Sequence, residues 1–148
     1  MTAVRVPRAV AEAIVRHARA ERPQEACGLI VGSALAADGG VARRYVACRN
    51  AAESPSRYLV DRDDLLRVLA ELDRTGEELW GVVHSHVRTA AVPSPTDIGE
   101  AAWPAAVHLL VSLAGAADAS SLRAWRIANG TAVELPLMIG DDRAEGVA

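Results

Sequence analysis

His84-Ser85-His86 and, after the seven residues Val87 to Pro93, Ser94-Pro95-Thr96-Asp97 bring two imidazoles and a carboxylate into one short stretch of chain. That set suits a single divalent metal ion. Two His plus one carboxylate leave a fourth tetrahedral position for water, which is the pattern of a catalytic zinc site. Structural sites close with four protein ligands, mostly Cys. The only thiols, Cys27 and Cys48, are too few to build such a closed site. Ligand type favours zinc over iron or manganese. Zinc with one bound water in that position would lower the pKa of the water to roughly 7 and polarise a carbonyl. The zinc-protease motif HExxH, which carries its own Glu, is missing. A base therefore has to come from a distant segment.

The elements that position these groups can be read from pattern. Leu79-Trp80-Gly81-Val82-Val83 is an apolar run entering His84 and reads as a buried strand. Strand side chains alternate faces, so His84 and His86 project together and Ser85 points the other way. Ser94 reads as a helix N-cap, Pro95 as the first helical residue and Asp97 as the third. The carboxylate thus sits on a rigid helix end near the exit of the strand.

With Glu25 in Arg22-Pro23-Gln24-Glu25-Ala26-Cys27-Gly28, the chain resembles the JAMM (MPN+) metalloproteases, whose pattern is E…HS/THx7SxxD. Every polar position of that pattern is filled, and the order of elements follows the family from about Val4 to about Leu137. Within it, the likeness is greatest to bacterial peptidases that release cysteine from a small ubiquitin-like sulfur-carrier protein. The features shared with that group are the compact length, the Glu-Ala-Cys-Gly context of Glu25, and Asn50-Ala51-Ala52-Glu53-Ser54-Pro55 ahead of Tyr58. The resemblance implies that His84, His86 and Asp97 bind zinc, that Glu25 is the general base and later the acid, and that Ser94 helps hold the oxyanion. It also implies a partner whose tail ends in Gly-Gly, narrow enough for a tight channel and bound by strand addition. Val87 departs from the Pro that many members carry after the second His, which bears on loop shape more than on chemistry. The short segment between His86 and Ser94 favours a simple carrier over polyubiquitin. A broader ubiquitin-like deconjugase, a peptidase acting on cell-wall or phage peptides, and a non-catalytic MPN scaffold are the competing readings. Retention of all four polar groups speaks against the scaffold.

Taken singly, His-x-His is more often a pair of ordinary strand histidines, and Ser-Pro-x-Asp is more often a plain helix cap; it is their combination with Glu25 that marks a site. A thiol nucleophile at Cys27 is disfavoured, because buried Cys is usually inert. His108, in Val107-His108-Leu109-Leu110-Val111, reads as a strand residue with a satisfied ring, and His17 as packing of the first helix. Asp61, Asp63 and Asp64 read as helix-capping acids.

The 148 residues are 51% hydrophobic and carry a formal net charge of −3, which fits one domain and one core. With no basic run, nucleic acid is not an expected partner. With neither an apolar h-region nor an uninterrupted span, no membrane association is expected, and two unpaired Cys suit a reducing cytoplasm. All 16 basic residues are Arg, so a Lys Schiff base is excluded.

Helices are expected over Arg8 to Ala20 and over Arg62 to Thr75, the second with Leu65, Leu66, Leu69 and Leu72 inward and Gly76 ending it. Strands are expected at Gly28–Gly32, Val41–Cys48, Tyr58–Val60, Val107–Leu113, Leu122–Ala128 and Ala132–Leu135. A turn at Ala36–Gly40 joins the first two, and an Asn129-Gly130 hairpin joins the last two. The sum is an α/β single domain, residues 1–139, with a mixed sheet flanked by helices and a flexible tail at 140–148. This layout is similar to cytidine deaminases, whose H-x-E and P-C-x-x-C signature is absent.

Overall fold

The computed structural model describes residues 3–140. The elements run β1 (Val4–Pro7), α1 (Arg8–Glu21), β2 (Cys27–Gly32), β3 (Ala42–Cys48), α2 (Arg62–Thr75), β4 (Glu78–His86), α3 (Pro95–Glu100), β5 (Val107–Ser112), β6 (Leu122–Ala128), β7 (Thr131–Leu135) and β8 (Leu137–Gly140). A six-stranded sheet has the order β3-β2-β4-β5-β6-β7. Only β4 and β5 pair in parallel; the other neighbours are antiparallel. The expected mixed sheet with flanking helices is therefore observed. No helix among the described residues is long and apolar enough to cross a membrane.

The two faces of the sheet carry separate apolar clusters. On one, Val10, Ile14 and Ala18 of α1 pack against Ile30, Trp80, Val83, Leu109 and Val111. On the other, Val68 and Leu72 of α2 cover Leu29, Val31, Leu79 and Val82. Each such side chain contributes on the order of 1.5–3 kcal/mol by leaving water. A register shift in the β2–β4 ladder between Ile30 and Val31 lets residues three apart share a face, Leu79 with Val82 on one side and Trp80 with Val83 on the other. Beyond it alternation resumes, so Val82, His84 and His86 all lie on the α2 side.

α2 begins and ends as expected. Asp61 caps it by accepting from the Asp64 N–H, and Gly76 closes it at φ 77°, where a side chain is disfavoured. One assignment changes: Leu66 is exposed and Val68 is buried instead. The inward stripe is Leu65, Val68, Leu69 and Leu72, and Leu66 lies one step of about 100° off it. Tyr58–Val60 forms only a single bridge, Asn50 to Val60, in place of a strand. The outer pair β1–β8, parallel and separate from the six-stranded sheet, does not follow from pattern. Gly140, the first residue of the expected tail, belongs to β8; the rest of that tail, 141–148, lies outside the described residues.

Candidate metal centre

The β2–β4 ladder sets the site. Gly28 pairs with Val83 and Cys27 with His84. One step further, Ser85 N–H donates to the Ala26 carbonyl at 3.0 Å while Ser85 Oγ accepts from the Ala26 N–H at 2.8 Å. Continuing this register brings Glu25 opposite His86 and, by alternation, onto the face that carries both imidazoles. Ser85, wholly buried between the two histidines, thus locks the Glu25 segment to the His84–His86 strand. The sequence reading gave it no role beyond pointing away.

Asp97 arrives from α3. Ser94 Oγ accepts from the Asp97 N–H at 3.0 Å, and Ser94 N–H donates to Asp97 Oδ2 at 2.9 Å, a reciprocal capping box with Pro95 at the first helical position. The same Oδ2 lies 3.0 Å from His86 Nε2 and 3.1 Å from His84 Nε2. One donor atom from each of His84, His86 and Asp97 lies within 4.8 Å of the others, and all three residues are buried.

The protonation chemistry of this cluster calls for a cation. His86 Nδ1–H donates to the Ala90 carbonyl at 2.8 Å, which fixes the tautomer. Its Nε2 then presents a lone pair to a carboxylate oxygen, an arrangement that a proton or a metal ion has to relieve. Burial disfavours the His86 imidazolium, yet the hydrogen bonds to Asp97 and Ala90 hold it above the ordinary value. His84 is driven the other way, its charged form suppressed by complete burial. Neither of its ring nitrogens is aligned for a hydrogen bond among the described residues. Asp97 pays for burial but is held well below the usual carboxylate range by the two histidines and the Ser94 N–H. A neutral imidazole, a second with its far nitrogen anchored, and a firmly ionised carboxylate form a donor set compatible with zinc.

Glu25 is 4% exposed and its Oε1 has no hydrogen-bond partner among the described residues. Burial, opposed by His86 and reinforced by Asp97, pushes its carboxyl up to about 7. Its backbone is held by Ser54, whose carbonyl accepts from Glu25 N–H at 2.8 Å, and by Asn50, whose Nδ2 donates to the Glu25 carbonyl at 3.0 Å. Asn50 is the second residue whose importance was not legible in isolation. It was only part of a shared motif, and the contacts that make it matter are long-range.

The remaining candidates separate cleanly. Cys27 is buried, and burial followed by the neighbouring Cys48 pushes its thiol up to about 12, which suits an inert packing residue. His17 is half-buried, and its Nδ1 lies 2.7 Å from the Tyr45 hydroxyl. His108 lies in β5 as expected and has backbone partners at Trp103 and Ala102, but its ring is only half satisfied. Its Nε2 is buried with no partner among the described residues, and burial then His84 push the ring down to about 4. Tyr58 stacks on His84 with centroids 4.2 Å apart and planes 17° from parallel. It also lines a cavity of about 260 Å³ that opens beside Asp97, bounded by Leu29, Val82 and Trp103.

Comparison with known proteins agrees with this geometry. Residues 7–128 match the family model for prokaryotic homologs of the JAB domain. The chain is 34% identical over 127 residues to the CysO-cysteine peptidase of Mycobacterium tuberculosis, covering 86% of this chain and 84% of that one. It is 31% identical over 105 residues to the desampylase of Haloferax volcanii, covering 68% and 74%. A JAB1/MPN domain protein from Archaeoglobus fulgidus superposes with a TM-score of 0.57 at 18% identity, over 93% of this chain and 100% of that one, which shows a shared fold. With the polar pattern, the sheet order and the family match in agreement, this chain belongs to the prokaryotic JAB-domain family of JAMM/MPN proteins.

Proposed function

We propose that this protein is a zinc-dependent peptidase that cleaves the amide bond after the C-terminal Gly-Gly of a ubiquitin-like sulfur-carrier protein and releases cysteine. The observation that carries the reading is the convergence of His84, His86 and Asp97 beside a buried carboxyl, Glu25, whose Oε1 is uncommitted. The name of the mycobacterial relative, which shares 34% identity over most of both chains, supports the choice of carrier and leaving group.

His84, His86 and Asp97 would hold the zinc. Bound there, it supplies Lewis acidity that polarises a carbonyl and makes water a competent nucleophile at neutral pH. Glu25 takes the proton of the attacking water at Oε1 and returns it to the departing amine, the part of a carboxyl that is not itself a metal ligand. Ser94 Oγ spends a lone pair on the Asp97 N–H, which leaves its hydroxyl hydrogen free to donate to the oxyanion. The capping box thereby aims the donor before substrate arrives. Ala26 and Ser85, paired across two strands, keep the base in register with the ligands.

The test is to incubate the purified protein with a carrier extended by cysteine and weigh the products. Loss of one cysteine residue, abolished in Glu25→Gln and by a chelator, is the expected result. An unchanged carrier mass with stoichiometric zinc bound would refute the substrate. The identity to a desampylase supports a second reading, a broader deconjugase; release of a protein from an isopeptide-linked carrier conjugate in the same assay would favour it.

A further inference from the structure

A histidine that ligates a metal through one nitrogen almost always donates its other N–H to a fixed acceptor, and this sets the plane of the ring. His86 obeys, through Nδ1 and Ala90. His84 does not, because its Nδ1 is buried without a partner among the described residues. Its ring nevertheless has a neighbour that fixes a plane. Tyr58 lies almost parallel to it, 4.2 Å between centroids and 17° between planes.

The backbone around Tyr58 is held as if its position mattered. The buried Asn50 amide donates from Nδ2 to the Arg57 carbonyl at 3.0 Å, and its Oδ1 accepts from the Leu59 N–H at 3.0 Å, so both residues flanking Tyr58 are tied to one side chain. The same Nδ2 donates to the Glu25 carbonyl, and Oδ1 also accepts from the Ala52 N–H. The full hydrogen-bonding capacity of the amide is spent on this loop and on the Glu25 segment. On the outer side, Arg57 makes a two-pronged ion pair with Glu100 of α3, the helix that carries Asp97. Tyr58 is therefore anchored to the segments bearing Glu25 and Asp97, and it presents a flat face to the third polar group.

We infer that Tyr58 is a positioning residue that orients the His84 imidazole by ring stacking, in the place of the Nδ1 hydrogen bond that no described residue supplies. The inference rests on His84 being a metal ligand. A phenyl ring is sufficient for the stacking, whereas an aliphatic side chain of similar bulk fills the space but sets no plane.

The test measures zinc affinity by competition with a chromophoric chelator in wild type, Tyr58→Phe, Tyr58→Leu and His84→Ala, with the His84 ring nitrogens followed by NMR in the zinc-loaded protein. Tyr58→Phe should bind within about twofold of wild type. Tyr58→Leu should lose about 10- to 100-fold, the usual effect of removing an outer partner of a ligand histidine, and should broaden the His84 ring signals. Tyr58→Met repeats the comparison should the leucine variant fail to fold. Wild-type affinity with sharp, unshifted His84 signals in Tyr58→Leu or Tyr58→Met would overturn the inference and leave the metal assignment standing. Wild-type affinity in His84→Ala would overturn both.

Discussion

Replacing Glu25 by Gln should stabilise the chelated protein in a pH-dependent way. In the fold the carboxyl ionises at about 7 instead of 4.5, chiefly because it is buried. Each tenfold change in proton affinity is worth about 1.4 kcal/mol. A charged Glu25 thus costs the metal-free fold at most about 3.5 kcal/mol. The raised folded value means that the native state holds the proton longer than the unfolded chain does, so the Glu25 contribution to stability is most favourable below pH 4.5, falls between 4.5 and 7, and levels off above. Gln has the same shape and no charge to desolvate. The variant should match wild type near pH 4.5 and exceed it above pH 7 by up to about 3.5 kcal/mol, roughly 7–14 °C in Tm for a chain of this size. Thermal unfolding of both proteins in chelator from pH 4.5 to 8.5 reads this directly. Adding zinc should shrink the gap, since a nearby cation favours the carboxylate. A Tm difference that is the same at pH 5 and pH 8 would refute burial as the origin of the shift.

His84→Ala and Asp97→Ala should abolish stoichiometric zinc by elemental analysis, while Glu25→Gln should retain zinc and lose about 10²–10⁴ in kcat. Ser94→Ala should lower kcat by about 10²–10³ through the missing oxyanion donor and cost about 1 kcal/mol of stability as a lost cap, the two effects separable by kinetics and urea unfolding. Asn50→Ala leaves the carbonyls of Glu25 and Arg57 and the N–H groups of Ala52 and Leu59 without their partner; unfolding should show a loss of about 2–3 kcal/mol, accompanied by reduced turnover.

The parts of this protein written in local pattern were readable in advance. α2 follows from its apolar stripe, the Asp61 cap and Gly76, and the β6–β7 hairpin from Asn129 and Gly130, which adopt φ of 54° and 72°. The shared face of His84 and His86 needed only strand alternation, and the place of Asp97 only the rules for a helix start. What escaped depends on contacts between distant segments. Tyr58–Val60 looks like a strand, but the Leu59 N–H is taken by the Asn50 side chain and the Leu59 carbonyl by the Ala51 N–H, which leaves a single bridge. β1 and β8 are short and pair only with each other. Glu25 could be assigned only by its likeness to a family, because its approach to His86 is created by a strand register that no local signal specifies. The pairing of Ser85 with Ala26 is the contact that sets this register.

One oxygen atom, Asp97 Oδ2, both accepts the Ser94 N–H that begins α3 and faces the two imidazoles. A helix of six residues has little capacity to persist alone, so its survival and the filling of the cluster are linked through that atom. Whatever draws the carboxylate inward also winds the segment from Ser94 to Glu100, and whatever unwinds that segment pulls the carboxylate away from the two imidazoles. Amide exchange at Asp97 and Ile98 should therefore slow as zinc is titrated in, so that backbone protection gives a measure of occupancy free of any substrate.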